Sequence, residues 1–205
     1  MGTTAARPEG RVAPVAGNDA GPGTPILVGA NPGVQLFDHA GACVAFASCW
    51  RVDWSTHGAG SAIVLWQPGT VEVYGSDRRL AEWLTEGFVK HFPELEGLPW
   101  STPHYASTTV KVSISLASGL YARAGNIRVE ASQVLDRRMF STDMAVHDGT
   151  RCRLALVIGP CARGVVVVDG RPLAGQVRRS GTPSRPQSSA FVTEAEVWQT
   201  GARLP

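Results

Sequence analysis

The residues of this chain best suited to chemistry are acids, histidines and tyrosines at the ends of apolar segments: Asp53, His57, Tyr74, His104, Tyr105, Asp136 and His147. Groups of this kind donate or take up protons on a bound molecule. A histidine beside a carboxylate, as in His147-Asp148, is a usable acid/base pair because the carboxylate orients the imidazole. Neighbouring residues on a strand point to opposite faces, so those two cooperate only if their segment is a turn. Asp136 stands out among the acids, because it ends an alternating apolar segment and is followed by Arg137 and Arg138, whose charges would pair with it. Trp50, Trp54 and Trp66 add three large rings. The first two are an even number of positions apart, hence on one face of a strand, where they would wall an apolar pocket or fill a core.

Other chemistries lack their residues. The chain has no Gly-x-Gly-x-x-Gly turn, P-loop, Gly-x-Ser-x-Gly elbow or His-Glu-x-x-His pair. Its histidines, His39, His57, His91, His104 and His147, include no two at a spacing that aims both at one metal. Cys43, Cys49, Cys152 and Cys161 form no Cys-x-x-Cys and read as thiols. Cys43 and Cys49 are expected on one side of a continuous strand, as small core residues. No cofactor and no metal are therefore expected.

Strands must carry most of these groups. Residues 1–25 are rich in Gly, Ala and Pro without apolar periodicity and are expected to be a disordered arm. Residues 26–177 read as one β domain. Ile26–Val28 reads as a short edge strand, followed by a long apolar stretch from Val34 to Trp54 and by strands at Ala62–Trp66 and Val71–Tyr74, joined by short turns into an antiparallel meander. Leu80, Trp83, Leu84, Phe88, His91 and Phe92 recur at three- and four-residue intervals and predict one amphipathic helix over 76–92, capped by Ser76 and limited by Pro93. Beyond a Pro-rich link, strands are predicted at Val110–Leu116, Ile127–Leu135, Met139–Val146, Cys152–Ile158, Val165–Val168 and Arg171–Val177. Residues 178–189 read as a basic flexible loop, and 190–205 as a terminal strand and tail. Many short strands with one helix predict a mainly β fold, an antiparallel barrel or closed sandwich with the helix packed against it.

Composition narrows the partners. At 205 residues and a net charge of +2, with ordinary hydrophobic and charged fractions of 43% and 18%, the chain reads as one globular domain without a nucleic-acid partner. Lys90 and Lys111 are the only lysines, so the arginines reflect composition before phosphate binding. No segment has the roughly 20 apolar residues of a membrane span, nor has the start a secretory core, which predicts a cytoplasmic protein.

The leading expectation from these features is a cofactor-independent enzyme. It would bind a mostly apolar, natural-product-like intermediate inside the barrel and catalyse cyclisation, isomerisation or dehydration by acid/base groups. Two alternatives stand beside it. One is a non-catalytic binding or accessory protein, holding a ligand in its cavity or docking a partner on an exposed sheet edge. The other is a split-barrel flavin or deazaflavin oxidoreductase, with a phosphate at the Ser76-Asp77-Arg78-Arg79 helix start. A homodimer is a further possibility for its assembly.

Overall fold

The computed structural model describes residues 23–145 and 150–200, with backbone alone for 144 and 145. His147, one of the candidate acid/base residues, and the arm up to residue 22 lie outside the described residues. The fold is mainly β with one α-helix, as expected. In chain order its strands are β1 (Thr24–Ala30), β2 (Gly33–Phe37), β3 (Cys43–Ser55), β4 (Gly60–Gln67) and β5 (Thr70–Gly75). Helix α1 (Arg78–Gly87) follows, then β6 (Pro103–Ser107), β7 (Val110–Ser115), β8 (Gly119–Ala124), β9 (Ile127–Val134) and β10 (Arg138–Ala145). The last strands are β11 (Arg151–Val168), β12 (Arg171–Pro172), β13 (Arg179–Thr182), β14 (Arg185–Ser188) and β15 (Ala190–Gln199).

Thirteen strands among the described residues join one sheet, whose pairing runs β6-β5-β4-β3-β1-β15-β11-β9-β8-β7. Off this path, β2 pairs with β15 and β3, while β10 and β12 pair with β11. Strand β11 belongs to two parts of the sheet, pairing β15 through Cys152–Pro160 and β9 through Cys161–Val168. The sheet turns back on itself. Val34, Ala47, Ile63, Leu65 and Tyr74 from one half share a buried cluster with Leu120, Ala122, Ile127, Val129 and Val166 from the other.

The meander of β3, β4 and β5 is buried on both faces, which explains why its sequence is an almost unbroken apolar run. Ile63 and Leu65 of β4 point into the inner cluster, and Ala62, Val64 and Trp66 point to the helix side. There they meet Leu80, Leu84 and Phe88. Leu80 and Leu84 are 1% and 0% exposed, and burial of such a side chain contributes about 1.5–3 kcal/mol. In contrast, β8 alternates buried Leu120, Ala122 and Ala124 with exposed Tyr121 and Arg123, because only its inner face is covered.

Several local expectations are corrected. The helix is shorter than 76–92, giving way to two 3-10 turns at Val89–His91 and Pro93–Leu95. Proline lacks the N–H a helix interior needs, and the turns still drive Val89 and Leu95 into the core. Its N-cap is Asp77, not Ser76: the Asp77 carboxylate accepts the Leu80 N–H at 3.1 Å. Strand β1 is not an edge, since β3 and β15 flank it. His104 and Tyr105 do not precede a strand but lie in β6, which runs parallel to β5 after the helical crossover. Residues 178–189, read as a loop, contain the β13–β14 hairpin. Of the expected strand 171–177, Arg171–Pro172 alone is paired as a strand, β12.

The two cysteines of β3 face opposite ways. Leu36 pairs with Ala45 and Phe37 with Cys43, so Val44 is an extra residue that breaks the alternation. Cys43 packs on the helix side, while Val44 and Cys49 pack in the inner cluster.

Candidate functional site

The sharpest local anomaly lies at the end of β9. Gln133 has φ 61°, a left-handed conformation that a non-glycine residue adopts at a cost of about 1–3 kcal/mol. Just beyond it the chain stays beside β11 but carries one extra residue, with Leu135–Arg137 opposite Gly159 and Pro160, and the Leu135 N–H donates to the Pro160 carbonyl at 2.8 Å. Gly159 of β11 makes this approach possible, because a Cβ there would stand 2.9 Å from Val134 Cγ1 and 3.3 Å from the Asp136 carbonyl oxygen. This bulged segment and the β7–β8 connection border an open groove of about 430 Å³, lined by Leu116, Ala117, Val134, Leu135, Asp136 and Arg137. That volume lies within the range of small-molecule sites, roughly 300–1,000 Å³.

Asp136 thus lies in a groove, at a half-buried position. Its Oδ2 is 3.5 Å from Arg138 Nε, the partner anticipated from the adjoining arginines. The Arg138 guanidinium in turn donates to the Pro186 carbonyl at 2.7 Å, tying the groove to the β13–β14 hairpin. The groove's accessible lining is therefore mainly polar, with a carboxylate held in place from one side, Arg137 at its rim, and the side chains of Leu116, Val134 and Leu135 beside them. It can seat a small molecule with polar groups and present a carboxylate to a hydroxyl or amine.

A second polar constellation was only half visible in the sequence. Tyr74, 8% exposed at the end of β5, donates to Glu72 Oε2 at 2.5 Å and lies 3.4 Å from Asn126 Oδ1. Asn126 donates onward to Asp169 Oδ1 at 2.8 Å. Burial, then the hydrogen bond to Glu72 and the charges of Glu72 and Asp169, push the phenol well above its ordinary value. His104 is in register with Glu72 on the neighbouring strand. With one phenolic proton between two acceptors, the chain of contacts ties β5 to the turns beyond β8 and β11. Glu72, Asn126 and Asp169 carry no sequence signal beyond the turn chemistry of Gly125-Asn126 and Asp169-Gly170.

The remaining candidates are dispersed. Tyr105, beside Val73, lies under the Arg78 guanidinium at 5.2 Å, and burial with Glu86 and Glu82 nearby raises its phenol. These residues line a hollow of about 60 Å³ at the start of α1, too small for a nucleotide, and Asp77 already caps the helix there. Asp53 is exposed and bound by Arg51 at 3.1 and 3.2 Å. His57 stacks on Trp83 with centroids 4.3 Å apart, without a contact to Asp53. Trp50 and Trp66 are buried beneath the helix segment, Trp50 against Phe88 and Phe92, and Trp66 donating to the Pro99 carbonyl at 2.9 Å. Trp54 is 46% exposed, so the three rings do not wall a common pocket.

Among the described residues, no group of three or more His, Cys, Asp or Glu is placed to hold a metal. Burial pushes the Cys43 and Cys49 thiols up and the Cys161 thiol to about 11, which makes them poor nucleophiles. No helix among the described residues is long and apolar enough to cross a membrane. Comparison of the chain with protein-family models, with curated proteins and with solved structures gave no match.

Proposed function

We propose that the chain binds a mostly apolar small molecule in the groove between Leu116-Ala117 and Val134–Arg137, at the outer end of a barrel-like sandwich. The observation that carries this reading is the position of Asp136 in a groove of about 430 Å³. Leu116, Val134 and Leu135 meet the apolar part of the ligand, while the more extensive polar lining, with the Asp136 carboxylate, fixes its hydroxyl or amine. The interior between the two halves of the sheet is filled by buried side chains, which favours a site at the end over one in the middle.

A second reading adds turnover at the same place. Asp136 would act as general base in an isomerisation or dehydration, with Arg138 positioning its carboxylate. The strained Gln133 favours it, because backbone strain of this kind is concentrated at working sites.

Native mass spectrometry of freshly purified protein tests the first reading. Wild type is expected to carry an organic mass of a few hundred daltons, and Ala117→Trp, which fills the groove from an exposed position, is expected to lose it with an unchanged melting temperature. Retention of that mass at full occupancy in Ala117→Trp would place the ligand elsewhere. Asp136→Asn separates the two readings. Weaker binding with no turnover in either protein fits a carrier, whereas loss of a general base lowers the rate of a turning-over wild type by roughly 10²- to 10⁴-fold.

A further inference from the structure

Among the described residues, four strands of the main sheet have a strand on one side alone; β12 is only two residues long, and two of the others are protected in the usual ways. Strand β6 begins with Pro103, and β7 carries Lys111 on its exposed side. Strand β10 is different. It pairs with β11 over all eight residues, and among the described residues no strand covers its other side. It contains no proline or lysine and exposes Met139 by 89% and Phe140 by 53%, next to Leu135 at 41%. An uncovered eight-residue edge with two exposed apolar side chains is a template for another strand.

We propose that β10 pairs with β10 of a second copy, antiparallel about a two-fold axis, to give a dimer with a continuous sheet. Closed two-fold pairs are the commonest assemblies of identical chains. The register follows from symmetry and charge. A two-fold axis between antiparallel strands runs perpendicular to the sheet, so each residue opposes one of its own face and the register must centre on a residue.

Centred on Phe140, the pairing sets Phe140 against its own copy, Met139 against Ser141, Arg138 against Thr142 and Arg137 against the partner's Asp143. Opposite charges then close both ends of an apolar centre. Centred on Ser141, Met139 would meet Asp143, and centred on Met139, Leu135 would meet Asp143. Neither of those registers pairs opposite charges. Within its own chain Asp143 already accepts from Arg153 Nε at 3.1 Å, and its second oxygen is available for Arg137 of the other copy. Arg137 also lines the groove, so the dimer would bring the partner's Asp143 to the groove rim. The pairing does not depend on what the groove binds.

Sedimentation velocity of the full chain over a range of concentrations, combined with substitutions on β10, tests this. Wild type should sediment as a dimer. Phe140→Asp should weaken it by about 30-fold or more, as expected for a central anchor, and Met139→Glu should weaken it without touching the core. Arg137→Asp and Asp143→Arg should each weaken the dimer, and the two together should restore it. Phe140→Cys should give a covalent dimer on a non-reducing gel after mild oxidation, which reports register even where the aspartate variant folds poorly. A monomeric wild type at concentrations on the order of 100 µM would overturn the proposal. So would a dimer indifferent to Phe140→Asp and Met139→Glu, or a charge swap no better than its single changes. Dimerisation only after removal of residues 2–22 would also overturn it, by showing that the arm occupies the edge.

Discussion

Buried protons set how individual residues respond to pH. The Cys161 thiol is pushed to about 11 from its ordinary 9.0, and Cys49 and the Tyr74 phenol are also raised. In each case the folded chain holds a proton that the unfolded chain gives up first, so stability is complete below the unfolded value and falls as pH rises towards the folded one. The melting temperature is therefore expected to decline from about pH 8.5 to 11, and less steeply in Cys161→Ala than in wild type. A profile flat across that window in wild type would contradict the burial of these groups. Tyr74→Phe removes the donor to the half-buried Glu72 carboxylate and to the exposed Asn126. It should lower stability by about 1–3 kcal/mol in denaturant titrations, with Tyr121→Phe, exposed on β8, as a neutral control.

The elements divide into those that sequence patterns reveal and those that only tertiary partners create. Val110–Ser115 alternates because one face is wet, and Ala62–Trp66 is continuous because both are dry, so each was legible from periodicity. The helix was legible from Leu80 and Leu84. Strand β6 was not, since Pro103-His104-Tyr105 has no pattern of its own and becomes a strand by lying parallel to β5. Strand β8 was missed because Ala122 and Ala124 are too small to mark a core face. Nor could the extra residue at Val44 be seen, which is why Cys43 was placed on the wrong side. Of the candidate site, Asp136 and its arginine partner were readable as a strand end. The groove was not, because its two walls come from the ends of β7 and β9. Two substitutions test the element boundaries. Asp77→Ala should cost about 1 kcal/mol through the lost cap, whereas Ser76→Ala should be near neutral. Leu84→Ala should cost about 2–5 kcal/mol, read from denaturant midpoints.

For the whole molecule, the critical strand is β11, which spans both parts of the sheet. Its small residues let the two layers close. A Cβ on Gly164 would stand 2.8 Å from Ala190 Cβ and 2.9 Å from both Val177 Cγ2 and Val34 Cγ1. Gly164→Val is accordingly expected to lower stability by about 1–3 kcal/mol or more, measurable as a reduced melting temperature. Gly170→Ser, in a turn with nothing near its Cβ, costs only the strain of its positive φ.

The central place of β15 has a consequence for synthesis on the ribosome. Its C-terminal part inserts between β1 and β11, and its first residues pair with β2, so β1 and β2 wait for a strand made much later. Until residues 190–199 leave the exit tunnel, β1 and β11 each present an unmatched edge to nascent neighbours. The sheet therefore closes only once those residues have emerged, and its dependence on chaperones should be greatest in the interval before.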